Sequence, residues 1–158
     1  EKIATTANSV LATDATPETL EELARRGLPA SVTTRVADAF SLADLGERFD
    51  GLFAGLWLSH VRIARRRAFF NAIHSVLEPG ARVVLIDNSP AQCERLPITF
   101  TDADGNTYQD RQTDDGEVHQ VLKNFPEEAS LRALVDGIAA EARYQALEHF
   151  WLFSYRLG

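Results

Sequence analysis

Three aspartates in this 158-residue sequence close apolar, β-prone runs: Asp14 after Val10-Leu11-Ala12-Thr13, Asp38 after Thr33-Thr34-Arg35-Val36-Ala37, and Asp87 after Val83-Val84-Leu85-Ile86. A residue that ends a strand of a parallel α/β sheet stands at the crevice where such sheets bind ligands. A carboxylate there accepts charge-assisted hydrogen bonds from hydroxyl or amino groups. Asn88 follows Asp87 and could help orient a substrate. His60 follows a fourth apolar run, Gly51–Trp57, and brings an imidazole that titrates near neutrality and suits a general base. Each has a plainer role beside the chemical one. Asp14 favours the positive start of the helix that follows, Asp38 starts a loop, His60 caps the next helix, and Asp87 and Asn88 are ordinary turn residues.

The other polar groups form weaker patterns. Arg62, Arg65, Arg66 and Arg67 crowd the first turns of a predicted helix, against the preference of its dipole. They suit an acidic substrate or partner, or else a solvated face paired with some of the 23 acids, and the second reading is the expectation. His119 and Lys123 fall on a predicted ribbon, as part of a substrate lid or an exposed hairpin. His74 and His149 read as structural or exposed, and Trp57 as a core side chain. Cys93 has no motif around it. No set of histidine, cysteine and carboxylate has metal-ligand spacing, so no metal is expected. There is no P-loop and no G-x-S-x-G elbow.

The elements that must position these residues follow a rhythm. Strands are predicted over 9–14, 32–37, 51–57 and 82–87, the third apolar on both sides as a buried parallel strand should be. Helical patterns follow the first and third. The first helix is sharply marked: Thr16 at the N-cap, Pro17 at the first helical position, Leu20, Leu23 and Ala24 as its stripe, Gly27 as its stop. The second is predicted as one long helix over 62–77, with Phe69, Ile73, Val76 and Leu77 on one face and Glu78-Pro79-Gly80 ending it. Residues 1–6 suit the last turns of a helix, and 41–46 a short helical turn. Asp114-Asp115-Gly116 marks a hairpin between 108–113 and 118–124. A helix starts near Pro126 with Leu131, Leu134, Val135 and Ile138 spaced for burial. Runs 143–149 and 151–157 should close the sheet as antiparallel strands.

Bulk properties bound the function. The composition is 45% apolar and 25% charged with net charge −7, ordinary for a soluble domain and contrary to a general nucleic-acid binder. The single cysteine forms no internal disulfide, so a cytoplasmic setting is expected. No apolar run approaches the roughly 18 residues of a membrane span, so no membrane partner is expected either. Residues 1–158 read as one domain, with 88–124 as a loop and β-ribbon insertion. The absence of methionine creates the expectation that sequence precedes Glu1.

In their order and spacing these segments resemble the class I S-adenosylmethionine-dependent methyltransferases. Residues Val10 to Glu18 look like the family's second motif, Val36-Ala37-Asp38-Ala39-Phe40 like the motif that frames the adenine, and Phe49 to Phe53 like the start of its fourth strand. Leu77-Glu78-Pro79-Gly80-Ala81-Arg82-Val83-Val84-Leu85 resembles the entry to its fifth. The resemblance implies an α/β, doubly wound Rossmann-like sheet, mostly parallel with an antiparallel C-terminal hairpin, lacking its first central strand in the sequence at hand. It implies S-adenosylmethionine as cofactor, with Asp14 on the ribose hydroxyls, Asp38, Ala39 and Phe40 about the adenine, and Ala15 against it. Leu56 and Trp57 border cofactor and substrate. Asp87 and Asn88 touch the substrate, a small molecule, and His60 is the first candidate for a base.

The family's G-x-G loop and the strand before it would stand ahead of Glu1. That strand lies mid-sheet between the strands at 9–14 and 51–57. Neighbouring strands are about 4.8 Å apart, so its loss leaves a gap of about 10 Å. The expectation is that residues precede Glu1, that another chain fills the slot, or that those two strands pair directly. Two other functions stay open: a scaffold that kept the fold and lost the chemistry, and a nicotinamide-dependent dehydrogenase, since Asp14 would serve a dinucleotide equally well. The last predicts further parallel strands in place of the C-terminal hairpin. The methyl acceptor and the oligomeric state are not legible.

Overall fold

Val10–Asp14 (β1) and Val32–Val36 (β2) pair in parallel, with Asp14 opposite Val36. The structure, a computed structural model, describes residues 3–158. The predicted helical end at 1–6 is a single 3-10 turn, Ile3–Thr5, with Glu1 and Lys2 outside the described residues. Between β1 and β2 runs α1, Pro17–Arg25. Its stop is Gly27, at φ +74°, a left-handed conformation that costs glycine little. Thr16 occupies the N-cap position without a side-chain capping bond. The helical turn expected at 41–46 is a 3-10 segment, Leu42–Leu45, ended by Gly46 at φ +69°. The chain divides into two compact units, this one up to Glu47 and a second over Arg48–Gly158.

The second unit is built on a four-stranded mixed sheet. Phe49–Gly55 (β3) lies parallel to Leu77–Asn88 (β4). Phe150–Leu157 (β9) runs antiparallel to β4 on its other side, and Ala139–Ala146 (β8) antiparallel to β9. The C-terminal strands are therefore antiparallel, against the dehydrogenase reading. A second sheet is a three-stranded antiparallel ribbon of Phe100–Thr101 (β5), Thr107–Gln112 (β6) and Val118–Leu122 (β7). Its hairpin turns at Asp114-Asp115-Gly116 as expected, with Gly116 at φ +89°.

Among the described residues β2 is the only strand partner of β1, and β3 edges the four-stranded sheet. The α/β pattern is thus distributed over separate parallel, mixed and antiparallel sheets. The third strand is not buried on both sides; β4 is its only strand partner among the described residues, and Phe53 is 52% exposed. The helix expected over 62–77 is α2, Arg66–Ser75, preceded by two 3-10 turns, Leu58–His60 and Ile63–Arg65. Side chains from far along the chain hold that entry open. Asn106 Oδ1 accepts the Ile63 N–H at 2.8 Å and Asn124 Nδ2 donates to the Val61 carbonyl at 3.1 Å. Val76 and Leu77 are buried but belong to the helix end and to β4. Gly80, at φ +79°, falls inside β4 and not before it, where the register slips between Phe49 and Gly51. The arginine cluster, finally, is not one solvated face. Arg66 is 8% exposed. Arg67 donates to the Leu134 and Ala133 carbonyls, and Arg62 lies 3.6 Å from Asp102.

The core of this unit joins Phe69, Phe70 and Ile73 of α2 to Val83 and Leu85 of β4, Phe153 and Tyr155 of β9, and Leu131 and Val135 of α3, Glu128–Val135. Ile138, expected on that last helix, lies beyond it and is exposed. A 2.6 Å hydrogen bond links the Tyr155 hydroxyl and His74 Nε2. Burial pushes the phenol up, and burial followed by the Arg67 charge pushes the imidazole down, so the bond joins two neutral groups. Tyr155→Phe is expected to cost about 1 kcal/mol, read as a lower urea midpoint at unchanged m-value. Among the described residues, no helix is long and apolar enough to cross a membrane.

Candidate functional site

The parallel pairing of β1 and β2 places Asp14 and Asp38 at the same end of one sheet. Asp14 is the last residue of β1, and its carbonyl accepts the Ala37 N–H at 3.0 Å, just past β2. Asp38 follows directly. Each carboxylate is oriented by the amide two residues on: Asp14 Oδ1 accepts from Thr16 N at 2.8 Å, and Asp38 Oδ1 from Phe40 N at 2.9 Å. These are Asx turns. They fix each side chain through one oxygen and leave Oδ2 without a protein partner among the described residues. Ala15 is exposed, Ala39 and Phe40 are half-buried. The pair of outward acceptors beside small side chains can take hydroxyl and amino donors of a ligand.

In the second unit the carboxyl ends of β3 and β4 lie side by side, Gly55 opposite Ile86. Leu56 follows at φ +57°, unfavourable for a branched side chain, and is 52% exposed, with its N–H on the Ile86 carbonyl at 2.8 Å. Phe53, Gly55, Leu56, Ile86 and Phe150 line an apolar cavity of about 360 Å³. Trp57 is partly exposed, its ring 6.5 Å from that of Phe69.

Behind this edge lies a buried polar cluster. Asp87 has no solvent exposure: Oδ2 accepts the Ser59 N–H and Oδ1 the Asn88 N–H, both at 2.8 Å. Lys123, 1% exposed, reaches it from just past β7. Its Nζ donates to Asn88 Oδ1 at 2.8 Å and Ser59 Oγ at 2.9 Å, and stands 3.5 Å from Asp87 Oδ1. The Asn124 N–H bonds the Ser59 carbonyl at 2.8 Å, tying the ribbon to the turn after β3. Asp87, expected beside the substrate, is wholly buried here. Its oxygens are engaged with the backbone and with Lys123, and it positions the turn that carries His60.

His60 is half-buried on that turn. Burial and then the Lys123 charge lower its pKa, outweighing the opposite pull of Asp87 and of the Leu122 backbone. The imidazole is thus neutral at pH 7, with one ring nitrogen free of a proton. Lys123 is itself pushed down by burial, against the pull of Asp87. Burial raises the Cys93 thiol, opposed by Lys123, which disfavours a thiolate nucleophile. Among the described residues no group of three or more His, Cys, Asp or Glu is placed to hold a metal ion.

Sequence reasoning brought His60, Asp87 and Asn88 into view but undervalued Ser59 and Lys123. The one signal for Lys123 was a lysine directly after the apolar pair Val121-Leu122. Asn106 and Asn124 carried no local signal, and Arg66 stood out only as one of four clustered arginines.

A family model described as a methyltransferase domain matches residues 1–80. No curated protein sequence matches the chain. Among solved structures, the DhpI–SAM–HEP complex is similar at TM-score 0.78 and 24% identity, over 98% of this chain and 71% of that one. The DhpI–SAH complex is similar at TM-score 0.76 and 24% identity, over 99% and 70%. The N-methyltransferase NodS from Bradyrhizobium japonicum WM9 is similar at TM-score 0.66 and 16% identity, over 99% and 78%.

Proposed function

This chain belongs to the class I S-adenosylmethionine-dependent methyltransferases, and from that premise we propose that it transfers a methyl group to an oxygen of a small-molecule acceptor. The observation that carries the reading is the Asp14–Asp38 arrangement: two oriented carboxylates, each with one uncommitted oxygen, at one end of a parallel strand pair. That donor demand fits a nucleoside cofactor. S-adenosylmethionine, the cofactor we assign, supplies an electrophilic methyl on a sulfonium whose leaving group is neutral. Asp14 holds ribose hydroxyls, Asp38 the adenine amino group with Ala39 and Phe40 beside it, and Ala15 borders the cofactor. A doubly wound sheet is the arrangement this family uses to present those residues, and a cytoplasmic setting suits a chain with one cysteine.

The protein's own contribution is positioning and one proton. Holding reacting groups in line supplies several kcal/mol of barrier reduction. The neutral His60 ring takes the proton that an acceptor hydroxyl releases. Lys123 sets the electrostatics: its charge disfavours a standing imidazolium, so the ring stays basic-form and ready. Asn88 turns its amide to Lys123 and orients the acceptor side.

Calorimetry of the full-length protein with S-adenosylhomocysteine tests the reading. Saturable binding is expected, and Asp14→Ala is expected to weaken it about 100-fold, near 2.8 kcal/mol, as loss of charge-assisted bonds does. No detectable heat from the wild-type protein would return the chain to the scaffold reading.

A further inference from the structure

A second cavity, of about 330 Å³, opens in the C-terminal unit at the start of α2, the start of α3 and the base of the ribbon. That volume lies within the range of small-ligand pockets. Its lining includes Arg66, Thr107, Asn124, Phe125, Glu127 and Ser130. Arg66 is the unusual member. It is 92% withdrawn from solvent at 8% exposure, its Nε is buried with no partner, and no ion pair or hydrogen bond joins its guanidinium to a described residue. Buried guanidinium groups are ordinarily paired, because taking the charge out of water is costly.

The start of α3 lines the same cavity through Glu127 and Ser130. The N-cap, Glu127, makes no side-chain capping bond. The first-turn amides of Glu128, Ala129 and Ser130 have no intrahelical acceptor. The remaining polar lining is spent internally. The Thr107 hydroxyl donates to the Lys123 carbonyl, Asn124 donates to Val61 and accepts the Thr107 N–H, and the Ser130 hydroxyl donates to the Glu127 carbonyl. What is left facing the cavity is a set of donors: a guanidinium and a positive helix end. The one lining carboxylate, Glu127, is exposed and lies beyond ion-pair distance of Arg66.

We infer that this cavity is a binding site for a small oxyanion, a phosphoryl or carboxylate group held by the Arg66 fork and the N-terminal amides of α3. It is separate from the residues assigned to methyl transfer. Lys123 and Asn124 are adjacent, yet the Lys123 ammonium turns to Ser59 and Asn88 while Asn124 lines this cavity. The inference does not rest on that activity, and its test needs no cofactor.

The test is an NMR titration of the full-length protein with inorganic phosphate and, separately, acetate, at ionic strength matched with sodium chloride. At least one anion is expected to shift the amides of Glu128–Ser130 and the Arg66 Nε–H saturably, and which one does so distinguishes phosphoryl from carboxylate. Arg66→Gln should weaken that binding at least about tenfold, as loss of a charge-assisted pair does. Glu127→Gln, which removes the nearby negative charge, should strengthen it and decides the matter if Arg66→Gln does not fold. Shifts no different from chloride in the wild-type protein would overturn the site. So would binding confined to Glu127→Gln, or equal binding by Arg66→Gln.

Discussion

Replacing Lys123 with methionine is expected to destabilise the protein by about 3–5 kcal/mol. Lys123 and Asp87 are 1% and 0% exposed, 3.5 Å apart, so removing the cation leaves a carboxylate uncompensated in the interior. Ser59 Oγ and Asn88 Oδ1 lose a donor at the same time. The cost is therefore that of breaking a buried pair, which is much larger than the net worth of having one. Adding Asp87→Asn to Lys123→Met should recover a good part of the loss. An asparagine oxygen can still accept the Ser59 N–H, and no charge is stranded. Urea denaturation of the single and double variants measures both effects. A single variant within about 1 kcal/mol of wild type, the spread of a surface ion pair, would show that Lys123 does not serve as a buried counter-ion.

His60→Asn is expected to lower kcat by about 10²–10⁴, the usual worth of a positioned general base, while leaving S-adenosylhomocysteine affinity nearly unchanged. The pH profile carries a sharper signature. Burial and the Lys123 charge hold the His60 pKa below the ordinary 6.5. The base works unprotonated, so kcat/KM should rise with pH through an apparent pKa below 6.5 and be level above it. In His60→Asn that acid limb should vanish. The same shift has a stability consequence with a definite sign. With a folded pKa below the unfolded one, the unfolded chain binds more protons. The stability is then fully present above about pH 6.5 and is lost as pH falls through the folded value. Burial and then Arg67 depress His74 in the same direction, so both histidines steepen acid unfolding. Unchanged turnover of His60→Asn at saturating cofactor would remove the base assignment.

Much of this protein was legible along the chain. Thr16-Pro17 and Gly27 bound α1, and Asp114-Asp115-Gly116 turns the ribbon, because caps and tight turns are written in residues only a few positions apart. Apolar runs ending in Asp14 and Asp38 mark strand ends for the same reason: strand periodicity is local, and a parallel pairing carries both ends to one side. The sequence by itself thus determined the α/β character, the order of the main elements and the place of Asp14 and Asp38 at strand ends.

Only the tertiary structure decided which polar groups are buried and what they face. Asp87 meets Ser59 across 28 residues and Lys123 meets Ser59 across 64, and no local periodicity encodes such partners. The entry to α2 shows the same limit. Its propensity favours a helix from Arg62, but Asn106 and Asn124, 43 and 63 residues from the backbone groups they hold, engage that backbone first. Propensity differences of a few tenths of a kcal/mol per residue yield to hydrogen bonds worth about 1 kcal/mol each. The burial of Arg66 follows from the helix start those bonds impose.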